Sequence, residues 1–271
     1  MSEETDRFQE LAQWFSKNGT GVIVALSGGV DSAVVALAAK KALGDNAIAI
    51  IANYKTLSNE ELSSAVVVAR EIGIRHKLIE YDEVANSDFA KNDELRCYHC
   101  RKELAMRLSQ EASEMGANLI VDGTHLDDVR SDRPGIRAFE ESDVRSPMRE
   151  LAISKAQIRA IARKFKLSIH DKPSNSCLAS RIPQGMTVTY EKLARIEKSE
   201  TIVKEVFNVR QVRVRDHGDI ARIEVQKEEL TFLFDVRKLE KLDTLLKKLG
   251  FKYVSIDAIG YRTRSLVLIP N

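Results

Sequence analysis

The sequence predicts an α/β fold: a parallel sheet wrapped by helices, followed by a smaller α+β domain. Three observations carry that reading. Short apolar runs of β character, at residues 22–26, 46–54, 76–81 and 118–122, alternate with stretches of helical periodicity. A loop of small residues, SGGVDS at 27–32, follows the first run directly and opens an alanine-rich helix over 33–43. Beyond about residue 185 the pattern changes to a helix, two alternating strands, a basic helix and further β runs. The β-α-β-α-β order predicts right-handed crossovers, with ligands at the carboxyl ends of the strands. The domains are expected to be 1–184 and 185–271, with the junction close to residues 183–186.

Taken in order, residues 5–18 form an amphipathic helix with Phe8, Leu11, Ala12 and Phe15 on one face. The first strand and its loop follow. The run 46–54 is the second strand and 55–58 its exit loop. The helix 60–72 places Leu62, Ala65, Val66 and Ala69 on one stripe. A short third strand covers 76–81. The segment RCYHCRK, 96–102, begins a helix running to about 115, and the strand 118–122 empties into GTHLDD, 123–128. Residues 133–148 contain a Pro-Gly turn without clear periodicity and read as an ordered loop. Ser154 can cap a helix over 154–165 with Ile158, Ile161 and Ala162 as its apolar stripe. Residues 171–185 are rich in turn formers and hold Cys177. The remainder reads as a helix over 190–205, strands over 209–215 and 220–225, a basic helix over 236–249, and β runs at 253–256 and 266–269.

Composition narrows the class. The chain has 271 residues, a charged fraction of 30% and a net charge of +2, with mean hydropathy −0.25, values of an ordinary soluble protein. No apolar run approaches the roughly 20 residues of a membrane span, and the first residues lead into no signal-peptide core, so a cytoplasmic address without a membrane partner is expected. So small a net charge argues against a nucleic-acid partner; the modest basic bias of the C-terminal part suits a small phosphorylated ligand. Three cysteines, an odd number, argue against a disulfide framework and for metal or catalytic use.

The chemistry concentrates at a few points. Paired glycines let the backbone approach a ligand closely, and the 27–32 loop delivers its N–H groups and the Ser27 and Ser32 hydroxyls to one place. That suits pyrophosphate, and the Asp31 carboxylate beside it makes most sense with a bridging Mg²⁺. Ala52 and Asn53 end the second strand where adenine or ribose would lie. Gly123 and Thr124 could approach a nucleotide, while Asp127 and Asp128 could serve Mg²⁺ or cap the next turn. His99 and His125 read as structural, or as supporting other ligands. Arg213 and Arg215 alternate along a strand and so share a side, as paired phosphate or carboxylate binders would. Arg222, Glu224, Arg181 and Glu200 are plausible neighbours, and Lys102 could orient phosphate or a leaving group.

The SGGVDS loop is neither a Walker A motif nor a dinucleotide fingerprint. It resembles the PP-loop of the ATP pyrophosphatases, a Rossmann-like, adenine nucleotide alpha-hydrolase-like fold. Ser27, Gly28, Gly29, Asp31 and Ser32 would then hold the ATP phosphates. The wider combination of SGGVDS, GTHLDD, RPG, RSPM, KPSNSCLASRIPQG and VRVRDHGDIARIEV is similar to the LarE family. Those enzymes are ATP-dependent sulfurtransferases acting on pyridinium-3,5-biscarboxylic acid mononucleotide in nickel-pincer cofactor synthesis. The resemblance implies adenylation of a substrate carboxylate, loss of pyrophosphate, and displacement of AMP by sulfur. It also implies a homo-oligomer, a hexamer in the family.

Single-cysteine members use the residue matching Cys177 as a sacrificial sulfur donor. Here Cys97 and Cys100 join it. Beside the resemblance, three thiolates suggest a [4Fe–4S] cluster with one iron left open for sulfide. The competing readings are a structural zinc, a Cys97–Cys100 redox disulfide with a persulfide on Cys177, and inert helix thiols with a sacrificed Cys177. A tRNA thiolase with the same ATP loop is the rival function. An amidotransferase-fed synthetase would leave the cysteines unexplained, and a non-enzymatic nucleotide-binding regulator is the remaining alternative. The sulfur donor is left open.

Overall fold

The computed structural model describes residues 3–130 and 134–262. The chain divides into two compact units, Met1–Phe89 with Asp93–Asn175, and Ala90–Asn92 with Ser176–Asn271. The division therefore falls earlier than the 184/185 boundary expected from composition, and Cys177 and Arg181 belong to the second unit. Local bonding explains the shift. Lys172 and Asn175 are hydrogen-bonded to Glu61 of the first unit. By contrast, the Asn92 side-chain amide donates to the carbonyls of Pro183 and Met186, and the Val188 N–H donates to Ala90 O.

In the first unit, β1 (Val22–Ala25), β2 (Ala47–Tyr54), β3 (Arg75–Tyr81) and β4 (Leu119–Val121) form a parallel sheet of order β3-β2-β1-β4 among the described residues. The crossovers are α2 (Val30–Leu43) and α3 (Asn59–Ile72), and then α4 (Ser87–Ala90) and α5 (Arg96–Met115). Helices α1 (Glu3–Asn18) and α8 (Lys155–Lys164) pack on α2. The core gathers Leu11 and Phe15 of α1, the inner faces of β1 and β2, and Ile158 and Ile161 of α8. Burial of each large side chain contributes about 1.5–3 kcal/mol. Helix α2 is buried on nearly every face, and its alanines and valines let the surrounding elements approach closely. Its position matters because its first residues, Val30–Ser32, belong to the SGGVDS loop.

Helix ends follow local chemistry. Ser58 caps α3 by accepting from the Glu61 N–H, and Gly73 closes it in the left-handed conformation. Ser154 and Gln157 make a reciprocal capping box on α8. The segment 133–148 is not the loop its lack of periodicity suggested. It contains α6 (Pro134–Glu140) and the start of α7 (Pro147–Glu150), each opened by proline in the first helical turn; Arg133 itself lies outside the described residues. Helices of two turns or fewer leave too short a pattern for period counting.

The second unit holds α9 (Tyr190–Phe207), β5 (Val212–His217), β6 (Ile220–Val225), α10 (Val236–Lys248) and β7 (Tyr253–Ile256). Its sheet runs β5-β6-β7, with β5–β6 antiparallel and β6–β7 parallel. Val203, Phe207, Val214, Ile223, Leu242 and Leu246 form a separate core. The β run expected at 266–269 lies outside the described residues.

Candidate functional site

The loop after β1 is shaped by two glycines whose hydrogens face backbone. Gly28 has φ +76, and a Cβ there would lie 2.8 Å from Glu61 O and 2.9 Å from Ala65 N. Gly123, at the carboxyl end of β4, would place a Cβ 2.7 Å from Ser32 N. The two turns are thus pressed together at the carboxyl edge of the sheet, where no larger residue fits. Gly29 differs: its Cβ would meet nothing nearer than Ser27 Oγ at 3.6 Å, so local packing does not demand glycine. It caps α2 without a side-chain bond, which suits a backbone that receives a ligand.

Ser27 and Ser32 close the loop on itself. The Ser27 N–H donates to Ser32 Oγ (3.2 Å), the two hydroxyl oxygens are 3.1 Å apart, and the Ser32 hydroxyl donates to Gly29 O (3.2 Å). Lys172 rivets the loop from outside, its ammonium donating to Gly28 O (3.0 Å) and Glu61 (2.8 Å). Ala52 lies near the end of β2, paired with Ile79 of β3, and is buried.

Asp31 is gripped by Lys155, whose ammonium donates to both carboxylate oxygens at 2.5 and 2.6 Å. The GTHLDD block supplies the rest of this corner. Asp127 accepts from the Lys155 N–H (2.7 Å), fixing the start of α8. The Asp127 N–H donates to His125 Nδ1 (3.2 Å), which assigns the proton to Nε2. That nitrogen lies 3.4 Å from Asp128 and 3.9 Å from Asp31. Thr124 is turned toward Asp122, which accepts from its N–H and its hydroxyl and also from Ser146 of the RSPM segment. The structure therefore gathers Ser27, Gly28, Gly29, Asp31, Ser32, Gly123 and Asp127 in one corner, with Thr124 held there by Asp122.

Lys155 and Lys172 are functional candidates that motif reading missed. Lys155 carried one signal: it opens α8, where the helix dipole favours an acid over a cation. Among the described residues no group of three or more His, Cys, Asp or Glu side chains gathers as a metal centre. Mg²⁺ commonly uses one or two carboxylates and completes its shell with phosphate and water, so Asp31 beside the loop fits that ion.

Cys97 and Cys100 occupy the first turn of α5, three residues apart and therefore on one side; Cys97 is exposed, and neither is in a disulfide. Lys102, two residues on, donates to Ser142 Oγ (3.4 Å), and with His99, Asp82 and Glu103 it lines a groove of about 370 Å³. Burial pushes the Tyr81 phenol well above its ordinary range, and charge on nearby Cys100 adds to this.

In the second unit Cys177 precedes a short 3-10 turn, Leu178–Arg181. Arg181, only 1% exposed, holds that turn: it donates to Cys177 O (3.0 Å) and Ser176 O, and through Nε and Nη2 to both oxygens of Glu200 (2.8 and 3.1 Å). Arg213 and Arg215 share a face of β5 as expected, opposite Glu224 and Arg222 on β6. Arg215 donates to Ser180 O (2.7 Å) and Glu224 (2.8 Å), and Arg222 donates to the other Glu224 oxygen (2.8 Å). Burial, and then the like charge of Arg181, pushes the Arg213 guanidinium below its ordinary value. Arginines thus outnumber carboxylates on this face around the Cys177 turn, an arrangement able to receive an anionic ligand.

Comparison with known proteins agrees with both units. Residues 6–115 match the NAD synthase family model. The chain is 41% identical over 261 residues to an uncharacterized protein, slr1717, of Synechocystis, covering 96% of each. It is 31% identical over 243 residues to the pyridinium-3,5-bisthiocarboxylic acid mononucleotide synthase of Lactiplantibacillus plantarum, covering 89% of this chain and 87% of that one. A tRNA-specific 2-thiouridylase, MnmA, of Rickettsia peacockii is 24% identical over 237 residues, or 73% of this chain and 64% of the relative. Identity of 31% through most of both chains, with a glycine-rich loop at the edge of a parallel sheet ahead of an arginine-rich unit, makes this chain a member of the LarE family of ATP-dependent PP-loop sulfurtransferases.

Proposed function

We propose that the protein adenylates a carboxylate of pyridinium-3,5-biscarboxylic acid mononucleotide and converts it to a thiocarboxylate in nickel-pincer cofactor synthesis. A carboxylate oxygen is a poor leaving group until it is esterified to phosphate. In the first step it attacks the α-phosphorus of ATP and pyrophosphate departs. In the second, a sulfur nucleophile adds to the acyl carbon and AMP leaves. The observation that carries the reading is Gly29: a Cβ there would meet nothing nearer than Ser27 Oγ at 3.6 Å, so packing does not demand glycine at this point of a loop whose neighbours Gly28 and Gly123 are held tightly against backbone. Ser27, Gly28, Gly29 and Ser32 would hold the phosphates, Ala52, Gly123, Thr124 and Asp127 the rest of the nucleotide corner, and Asp31 would take Mg²⁺.

Arg181, Arg213, Arg215 and Arg222, with Glu200 and Glu224, form the second unit's share. Arg213 and Arg215 would meet the substrate's phosphate and carboxylates, while the Arg181–Glu200 pair holds the turn after Cys177 in shape. Cys97, Cys100 and Cys177 would hold a [4Fe–4S] cluster, whose chemistry would be to deliver sulfide-level sulfur to the activated acyl carbon. We further propose a cytoplasmic homo-oligomer.

The test is incubation of anaerobically purified protein with ATP, sulfide and the biscarboxylic mononucleotide, following AMP and thiolated product by mass spectrometry. Acceptor-dependent AMP with a mass gain for oxygen-to-sulfur exchange supports the reading; AMP formed only with tRNA favours the thiolase, which the 24% match keeps in view. Iron and sulfide analysis tests the cluster separately: an active, iron-free protein removes it and leaves Cys177 as the donor.

A further inference from the structure

Two lysines stand at the phosphate loop, and their partners differ in kind. Lys172 is bonded to Gly28 O (3.0 Å) and to Glu61 (2.8 Å), a carboxylate on α3 outside the SGGVDS loop. Lys155 is bonded to both oxygens of Asp31 (2.5 and 2.6 Å), the carboxylate a phosphate-bridging cation would need. Lys155 is also the better fixed at its root: its N–H donates to Asp127 (2.7 Å), and the Ser154–Gln157 box sets the helix start. Both members of the pair keep about a quarter of their side-chain surface in solvent, so water can reach the ion pair. Asp31 sits in the first turn of α2, where Gly123 packs against the Asp31–Ser32 backbone, and its side chain is the shorter of the two, so when the pair separates Lys155 is the member with the reach to move.

We propose that Lys155 is a displaceable counter-ion, holding Asp31 while the loop is empty and passing to the nucleotide phosphates when a divalent cation takes Asp31. The inference rests on the ATP reading given above and adds a positioning residue to it. A dication and an ammonium cannot share one carboxylate in a half-buried site without strong repulsion. Arrival of the metal therefore expels Lys155, and the nearest compensating charge is the phosphate chain bound at Ser27–Ser32. The ion pair also spares the nucleotide-free loop an uncompensated carboxylate beside the Gly28 and Gly29 backbone. No bond is made or broken; the change is an exchange of ion partners.

The role predicts two effects of opposite sign on removing the ammonium. With the full-length protein free of nucleotide, Mn²⁺ binding measured by electron paramagnetic resonance should tighten about threefold in Lys155→Met, since the metal no longer displaces a cation. At saturating Mg²⁺, binding of α,β-methylene ATP measured by calorimetry should weaken about tenfold, since the phosphates lose a charge-assisted partner. Lys155→Arg keeps the cation and should leave Mn²⁺ binding untightened. Lys155→Gln should reproduce both signs, and it replaces the methionine variant if that one does not fold. A purely structural lysine would weaken both ligands or neither, and either result overturns the proposal. Wild-type protein that binds no ATP analogue sinks the nucleotide reading itself. Wild-type binding with unshifted variants sinks only the role of Lys155.

Discussion

A single added methyl group separates the tasks of the glycines around the phosphate loop. At Gly28 an alanine would adopt φ +76 and press on Glu61 O and Ala65 N, both backbone atoms that cannot turn aside. Gly28→Ala should cost about 2–4 kcal/mol of stability, and Gly123→Ala, aimed at Ser32 N, a similar amount. Gly29→Ala meets only Ser27 Oγ at 3.6 Å and should cost under about 1 kcal/mol, while still weakening ATP binding by crowding the ligand's approach. Urea denaturation of the three variants, beside nucleotide binding by Gly29→Ala, checks this. A Gly28→Ala protein as stable as wild type would refute the packing argument. The glycines, Ser27, Ser32 and Asp31 were legible in the sequence because a strand, a small-residue loop and a helix lie within a few positions of one another. Lys155 was not: its partner Asp31 is distant in sequence, and only the fold brings α8 to the loop. Nor did spacing along β5, which placed Arg213 and Arg215 on one face, disclose that Glu224 and Ser180 already engage Arg215.

Between residue and fold stands the exit of β2, where one buried carboxylate does the work of a cap. Glu83 is fully buried, and its two oxygens accept from the Thr56 N–H (2.7 Å) and the Lys55 N–H (3.0 Å). It thereby fixes the turn leading from β2 into α3, next to the strand end assigned to the nucleotide. Glu83→Ala would leave two N–H groups unsatisfied and should cost about 1–3 kcal/mol. Burial raises the Glu83 pKa above the ordinary carboxylate value, so the folded chain keeps this proton to a higher pH than the unfolded chain does. Its favourable share is therefore complete below the unfolded pKa and declines as pH rises through the folded one. The stability gap between wild type and Glu83→Ala should narrow on going from pH 4 to pH 7, and Glu83→Gln should lack that slope. A gap that widens with pH would contradict the burial argument. At this scale the sequence exposed most helices and strands to within a few residues, since α1, α3 and α8 carry full helical periods and the first-unit strands are apolar runs. The exceptions are short: α4, and α6 and α7 in and at the end of the supposed loop, the latter two set by proline placement and by contacts such as Ser146 to Asp122 that no local pattern encodes.

At the scale of the whole molecule, each unit has its own apolar core, one built on the parallel sheet and the other on β5, β6, α9 and α10. Composition located the change of pattern but set the boundary late, because the turn-rich 171–185 stretch gives no hint of which half bonds to which partner. Separate cores predict that damage confined to one unit will be felt there first. Arg181 provides the means, since its guanidinium lies inside the second unit, paired with Glu200 on α9 and hydrogen-bonded to the carbonyls of Ser176 and Cys177. Arg181→Met removes the cation and leaves the Glu200 carboxylate with the Val214 N–H as a remaining donor, a loss of about 3–5 kcal/mol for a broken buried pair. Hydrogen exchange followed by mass spectrometry should show faster exchange in α9, β5 and β6, with protection in β1, β2 and β4 retained. ATP-analogue binding should survive, since the residues proposed for it belong to the first unit, whereas sulfur transfer should fail as the Cys177 turn loosens. Equal loss of protection in both sheets would mean that the units unfold as one cooperative body, and the assignment of separate tasks to them would have to be withdrawn.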